Sequence, residues 1–465
     1  MIKTLDFKKY KINNKNLIKN FLIDKNIKTD LGIVYTPLSL IKKIIDLIPE
    51  NEFKENKKFL DIGAGLGNFS FIIYEKIFNN NKNINYKEDS IIKNNLYLSE
   101  VQEDQINYLK ELFGKEINLF KNFFLIDDNY LEYFDIIVGN PPYNFGSIKT
   151  PTNTIIEKKF DGKTVWQKFV FRSIELLKSE GYLSLIIPAI WLKPDKSGIY
   201  DLLTSFRIIK LNTLNNSETN KEFNYQAQTP TCYFLIQKKL VIKNTISIYD
   251  SYEKEYINYE LIKNYCIPMN CVYILNKLLN LTKIYGNINV YKSNTISRKI
   301  NLSITQNQFY NFKNISSCIL KGKYKEEPEL VEFHTDQACH YYGEKKLILA
   351  HKMYGFPYLD YKGIYGICTR DNYIIKDYSI KELENIGKFL STKIILFIYQ
   401  ATSYRMSYLE KYIFSFIPNI NKIKELENLP DEIIKREEII YKFLNLSENQ
   451  ILYINNNIKN YKFFM

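Results

Sequence analysis

The sequence predicts an α/β protein with a mostly parallel, doubly wound sheet, followed by a carboxyl-terminal α+β domain. Three observations carry this. From Phe59 to about Lys239, short β-favouring apolar runs alternate with segments of helical period. Phe59-Leu60-Asp61-Ile62-Gly63-Ala64-Gly65-Leu66-Gly67-Asn68 reads as a strand, a glycine-rich turn and a helix start. After Lys239 the periodicity weakens and Tyr- and Asn-rich segments take over, which puts a boundary near Val241–Ser251 and domains at 1–245 and 246–465.

In chain order, strands are expected at Phe59–Ile62, Leu96–Ser99, Asn118–Phe120, Asp135–Val138, Tyr182–Ile187 and Thr231–Gln237. Helices are expected at Leu38–Ile48, Asn68–Phe78, Glu103–Phe113 and Trp166–Ser179. The polar stretches Asn79–Asn95 and Asn144–Lys163 read as inserted loops. In the second domain one long amphipathic stretch runs from about Ser379 to Ile417, where Pro418 ends it.

Composition narrows the class. The chain has 465 residues, 45% hydrophobic and 25% charged, as ordinary globular domains do. Its longest apolar run, Tyr182 to Leu192, is interrupted by Ser184 and Pro188 and falls short of a membrane span. Met1–Tyr10 lacks the apolar core of a signal peptide, so an intracellular, cytoplasmic protein without a membrane partner is expected. With 64 Lys+Arg against 51 Asp+Glu the net charge is +13, which suits a polyanionic partner such as nucleic acid. The six cysteines show no C-x-x-C spacing, and the group His334, Cys339, His340 matches no known ligand spacing, so no metal is expected.

The residues that point to chemistry fall at carboxyl ends of successive strands, where open α/β sheets bind ligands. Gly63, Ala64 and Gly65 let a ligand approach the backbone, with Asp61 just before them. Glu100, after the second strand, offers two acceptor oxygens to a vicinal diol. Asn122, in the Asn122-Phe123-Phe124 run after the third strand, offers an amide that could pair with an adenine edge. After the fourth strand, Asn140-Pro141-Pro142-Tyr143 forms a stiff turn of acceptors beside an aromatic face, a match for a planar, amino-bearing group.

Together with Thr36-Pro37 upstream, this chain order resembles the gamma-class DNA N6-adenine methyltransferases, the group that contains the TaqI enzyme. The resemblance covers roughly Ile33–Gln237. It implies a Rossmann-like methyltransferase domain that uses S-adenosylmethionine, with Thr36 and Pro37 at the methionine end of that cofactor. It implies that Asp61, Gly63, Ala64 and Gly65 line the cofactor loop, Glu100 holds the ribose, and Asn122 and Phe123 flank the adenine, with Asp127 as the alternative to Asn122. Asn140, Pro141, Pro142 and Tyr143 would hold a flipped target base, with Phe223 or Tyr225 as a second stacking aromatic. The carboxyl-terminal domain would then recognise double-stranded DNA. A monomer is expected, with a companion restriction endonuclease as a partner. The alternatives are RNA adenine or protein glutamine as acceptor, or a non-catalytic recognition subunit.

Overall fold

Phe59–Ile62 and Phe134–Gly139 carry too few polar residues to leave a face in water, and the chain buries both at the centre of one sheet. The computed structural model describes residues 35–80, 88–145, 163–227, 229–294, 300–321, 327–351, 357–405 and 409–458. Its contacts form two units, one of Met1–Tyr249 with Lys254–Asn264, the other of Asp250–Glu253 with Tyr265–Met465.

The first unit is built on strands β1 (Phe59–Ile62), β2 (Leu96–Ser99), β3 (Asn118–Phe120) and β4 (Phe134–Gly139). A short ribbon, β5 (Asn144–Phe145) and β6 (Lys163–Thr164), follows. The sheet continues with β7 (Leu177–Pro188), β8 (Phe206–Leu214), β9 (Thr231–Leu240), β10 (Thr245–Asp250) and β11 (Glu255–Glu260). Spatial order is β11-β10-β8-β9-β7-β4-β1-β2-β3. The pairs from β3 to β7 are parallel, and β9 runs antiparallel between β7 and β8. Beyond residue 245 the sheet carries on, with β10 parallel to β8.

The chain leaves β1 towards β2 on one side and returns at β4 on the other, so the β1–β4 junction is the point where strand order reverses. Leu40, Ile41 and Ile44 of the helix Leu38–Ile45 share one core with Ile72 and Ile73 of Asn68–Asn80 and with Leu98 and Ile136 of the sheet.

The structure departs from the sequence reading at the ribbon β5–β6, which lies at the ends of the expected loop Asn144–Lys163. The start of β7 takes over the end of the expected helix Trp166–Ser179. Three further elements differ. Within the expected loop Asn79–Asn95 lies a helix, Glu88–Asn94, tethered by buried Ile91 and Ile92 in a polar surround that hid it. Strand β8 mixes Arg, Lys, Asn and Thr with its apolar residues and shows no clean alternation of burial, so period-two reasoning passes over it. The stretch Ser379–Ile417 divides into helices Ile380–Leu390 and Lys393–Tyr399 and short 3-10 turns. At the break Ser391 Oγ donates to Gly387 O (2.7 Å) and Thr392 Oγ1 to Phe389 O (2.9 Å), hydroxyls competing with the helical ladder.

The second unit is α+β. It holds β12 (Tyr291–Lys292), β13 (Leu302–Ser303), β14 (Phe312–Lys321), β15 (Glu327–Thr335), β16 (Lys346–Ala350), β17 (Pro357–Asp360), β18 (Gly366–Ile367) and β19 (Asn372–Ile375). They form two four-stranded sheets, β12-β19-β16-β17 and β13-β15-β14-β18. Helices Val272–Tyr285, Ile433–Phe443 and Glu448–Asn457 accompany them.

Gly139 ends β4 at φ +147°, and a Cβ there would stand 2.6 Å from the Ile62 carbonyl oxygen. Gly139→Ala is therefore expected to cost about 2–5 kcal/mol by urea denaturation, from backbone strain and overpacking. Gly114→Ala, at φ +92° but with no atom within 4 Å, is the control and should cost about 1 kcal/mol.

Candidate active site

At the carboxyl end of β1 the chain turns through Gly63, Gly65 and Gly67, all left-handed at φ +70°, +57° and +75°. Side chains are strained at such angles, so glycine is required here. A Cβ on Gly67 would meet Leu109 and Phe113 at 2.8 and 2.9 Å, so the third glycine serves packing. Ala64 N donates to Ser99 O (2.8 Å), which ties the turn to the end of β2.

Two buried carboxylates organise this turn. Glu100 Oε2 accepts from Gly65 N at 2.8 Å, and its Oε1 accepts from Val101 N and Gln102 N at 2.8 and 2.9 Å. Three of about four lone-pair positions are thus spent on backbone. Asp61 Oδ2 accepts from Ser70 N (3.2 Å) and Ser70 Oγ (2.8 Å), while its buried Oδ1 has no hydrogen-bond partner among the described residues. Burial pushes the Asp61 carboxyl up from an ordinary 3.8 to about 7; the Ser70 hydrogen bonds oppose this and the nearby Glu100 adds to it. Tyr35 lies beside Gly65, and its hydroxyl accepts from Gln105 Nε2 at 3.1 Å. Burial, then Glu100, pushes that phenol up to about 12, so it stays protonated.

Across the β1–β4 junction stands the Asn-Pro-Pro-Tyr turn. Thr36, buried just before the helix Leu38–Ile45, accepts at Oγ1 from Asn140 Nδ2 at 2.9 Å. Pro37 caps that helix, its carbonyl accepting from Leu40 N and Ile41 N. The Thr36 bond fixes which end of the Asn140 amide faces the upstream segment. Where Gly63 lacks a Cβ, the Asn140 backbone oxygen would be 3.8 Å away and Pro142 Cδ 4.0 Å away. The glycine turn and the proline turn therefore meet.

The Tyr143 residue is half-buried, but its hydroxyl is enclosed and has no hydrogen-bond partner among the described residues. Burial, with Cys232 beside it, drives its titration far above the ordinary phenol range. Cys232 Sγ takes the Trp191 Nε1 proton at 3.0 Å, and burial pushes that thiol up as well. Val165 N donates to Tyr143 O (3.1 Å).

The remaining sequence candidates are placed differently. Asn122 caps the 3-10 turn Phe123–Leu125 by accepting from Phe124 N at 3.0 Å, and Asp127 does the same for the next turn. Phe123 is buried and stacks on Phe169, with centroids 5.0 Å apart. Phe124 meets Phe169 edge-on and leaves 43% of its surface exposed. Phe223 is 1% exposed and belongs to the core cluster, so in this arrangement it presents no face to solvent; Tyr225 is 77% exposed, in a left-handed turn with Asn224. Sequence reasoning missed Ser70, Gln105 and Phe169, which act through contacts remote in sequence and carry no local signal.

Asp336, Glu344 and Lys346 stand in the order acid, acid-x-lysine, a form that the metal sites of restriction nucleases take, but here they do not converge. Asp336 binds Asn301, Glu344 pairs with Lys376, and Lys346 forms a buried ion pair with Asp360 at 2.7 Å. Among the described residues no group of three or more His, Cys, Asp or Glu is arranged to hold a metal ion, and no helix is long and apolar enough to cross a membrane.

Residues 5–223 match the family described as Eco57I restriction-modification methylase. A relative from Methanocaldococcus jannaschii, whose name describes a type II restriction enzyme and methyltransferase, is 45% identical over 60 residues. That match covers 12% of this chain and 5% of the relative. Among solved structures, the type IIL restriction-modification enzyme MmeI in complex with DNA is similar over 94% of this chain and 77% of its own, at 12% identity and TM-score 0.47. The M protein of the type I restriction enzyme EcoKI is similar over 47% of this chain at 17% identity and TM-score 0.36, and this chain covers 48% of its length.

The titration of Asp61 has a measurable consequence. Between about pH 4 and 7 the folded protein keeps a proton that the unfolded chain has lost, so stability falls as pH rises through that window and levels off above it. The slope approaches ~1.4 kcal/mol per pH unit. Thermal melting between pH 5 and 8 should show a flatter profile for Asp61→Asn; an unchanged profile would exclude Asp61 as its source.

Proposed function

We propose that this chain is a DNA methyltransferase of a restriction-modification system that methylates the exocyclic N6 of adenine in double-stranded DNA, with S-adenosylmethionine as donor and the target base flipped out. The observation that carries this reading is the Asn140 amide, fixed by Thr36 at 2.9 Å in a turn that abuts the glycine loop. The family match over residues 5–223 and the net charge of +13 support it.

The residues fit the cofactor. Its adenosine body suits a turn where side chains are excluded at Gly63 and Gly65, and the fourth lone-pair position of Glu100 is left for a ribose hydroxyl. Asp61 holds Ser70 at the start of the helix Asn68–Asn80, keeping that helix end against the turn. S-adenosylmethionine, when bound, supplies an electrophilic sulfonium methyl.

The protein's own part is positioning. An adenine amine is a weak nucleophile because its lone pair is delocalised into the ring. Asn140 Oδ1 and the Pro141 carbonyl accept its two N–H hydrogens and favour a pyramidal nitrogen whose lone pair faces the methyl. Both acceptors are held before the base arrives, Asn140 by Thr36 and Pro141 by its ring, so little reorganisation accompanies the reaction. The Tyr143 ring stacks on the base, and we assign the second stacking face to Tyr225, whose ring is exposed. Flipping costs a few kcal/mol, of which stacking returns about 1–3 kcal/mol per ring.

Asn140→Ala should lower the rate of tritium transfer from labelled S-adenosylmethionine to duplex DNA by about 100-fold or more, with cofactor affinity by calorimetry within a few-fold. A rate within fivefold of the parent would sink the mechanism. The same assay with RNA and with protein decides the acceptor class.

Tyr143 offers a second, sharper test. Because its hydroxyl is buried without a partner among the described residues, Tyr143→Phe should retain activity and match or exceed the parent's melting temperature. Tyr143→Ala should instead weaken binding of a duplex whose target adenine is mismatched, and so flips readily, by about 1–3 kcal/mol.

A further inference from the structure

The chain contains 64 Lys+Arg, of which six are arginines, so most of its positive charge is on lysine. Lysine is a flexible point charge adequate for phosphates, whereas the planar guanidinium fork can address two acceptors at once. Where each arginine stands is therefore informative. Arg172 bonds Glu175, Asp128 and the Ile126 carbonyl, and Arg436 is buried and donates to the Lys388 and Asp431 carbonyls. Arg207 is exposed at the amino end of β8, away from the strand ends that carry the candidate site.

Arg298 lies outside the described residues, which leaves Arg370 and Arg405 as the described arginines of the second unit still to be placed. Both are exposed, and neither makes a hydrogen bond or ion pair with any described residue. Their loops are tied to one end of one sheet. His351, which follows β16, donates from its backbone N to Asp371 O and accepts at its carbonyl from Leu409 N, both at 2.7 Å. The Tyr373 hydroxyl donates to Leu409 O at 2.8 Å.

Around Arg370 the backbone is clamped on both sides. Thr369 Oγ1 donates to Ser316 O at 2.7 Å, and Asn372 Nδ2 donates to that same oxygen at 3.0 Å. Ser293 Oγ lies 2.6 Å from Thr369 O and 3.0 Å from Asn372 O, and it accepts from Asn372 N at 3.2 Å. Ser293 and Asn372 are almost fully buried. A rigid buried network thus carries an exposed guanidinium that is unpaired among the described residues. Arg405 stands directly after Tyr404, which is buried and donates its hydroxyl to Ile267 O at 2.6 Å. A fixed backbone under a free fork lowers the ordering cost of a geometrically demanding contact. The commonest such contact in DNA is arginine donating to O6 and N7 of one guanine in the major groove.

We propose that Arg370 is a specificity-determining residue that reads a guanine of the recognition sequence by a two-pronged contact, with Arg405 on the same sheet end as a supporting contact. The inference rests on the reading of the chain as a sequence-specific DNA methyltransferase, and the experiment separates the two. The full-length protein, Arg370→Ala and Arg370→Lys are incubated with S-adenosylmethionine and a randomised duplex library, and methylated sites are sequenced. The parent should methylate a motif with at least one fixed G·C pair. In Arg370→Ala and Arg370→Lys, discrimination at one such pair should fall by about 5- to 100-fold, with the other positions kept. Since Arg370 has no partner to lose among the described residues, melting temperatures should match the parent. Lys362→Ala, which removes an exposed lysine of the same unit, should weaken binding evenly across sequences and leave the motif unchanged. A parent motif with no G·C pair, or an unaltered motif in both Arg370 variants, overturns the guanine contact and leaves the methyltransferase reading standing. A parent that labels no DNA overturns both.

Discussion

Everything in the first unit depends on how closely the end of β4 approaches the end of β1. Gly139 pairs with Ile62 at the last step of that parallel ladder, with no room for a Cβ between them. This contact fixes the start of the proline turn against the glycine turn, so Asn140 and Gly63 are neighbours although 77 residues separate them, as their numbers (140 − 63) give. A bulkier residue at 139 would displace the Asn140 amide from Thr36, and a displacement of about 1 Å is enough to impair a reaction that relies on positioning. The reversal of strand order opens a crevice there, and the missing side chain sets its width.

The electrostatics run against the charge of the whole. In a chain of net charge +13, the pocket beside the glycine turn is acidic, with Asp61 and Glu100 both buried. Glu100 is stabilised by three backbone N–H groups, which fold the loop around it. Asp61 receives two hydrogen bonds from Ser70 only, on one oxygen, and its titration rises towards neutrality. The two carboxylates thus differ in their partners, three backbone N–H groups for Glu100 and one serine for Asp61.

Much of the sheet was legible in the sequence because β1, β2 and β4 are buried on both faces and need continuous apolar residues. The glycine turn and the proline turn were legible because φ above zero and a fixed φ each demand one residue type. Strand β8 was not, since it lies between a parallel and an antiparallel neighbour and has a mixed composition. Phe223 and Tyr225 show the limit most clearly. Two aromatics two residues apart look alike in sequence, and only tertiary packing puts one in the core and the other in water. Likewise, nothing local in Asn122 distinguishes a base contact from a cap on the following turn, and here its oxygen caps Phe124.

The second unit follows a different economy. Its most deeply buried charge, Lys346, is matched by Asp360, whose oxygens also accept from Ile364 N and Tyr365 N. Desolvation draws the Lys346 ammonium below its usual range, and Asp360 opposes that pull. The pair joins the facing ends of β16 and β17, Lys346 opposite Asp360, and so sets the register of the hairpin. At the other end of β16 no such pairing with a described residue occupies Arg370. One end of the same strand thus spends its charges on internal order, and the other leaves a guanidinium to solvent on a backbone held by Ser293, Ser316 and Asn372. A side chain kept for stability would be expected to find a partner, as Lys346 has. Arg370 instead has a rigid base and an open tip, the arrangement of a group whose partner comes from outside the chain.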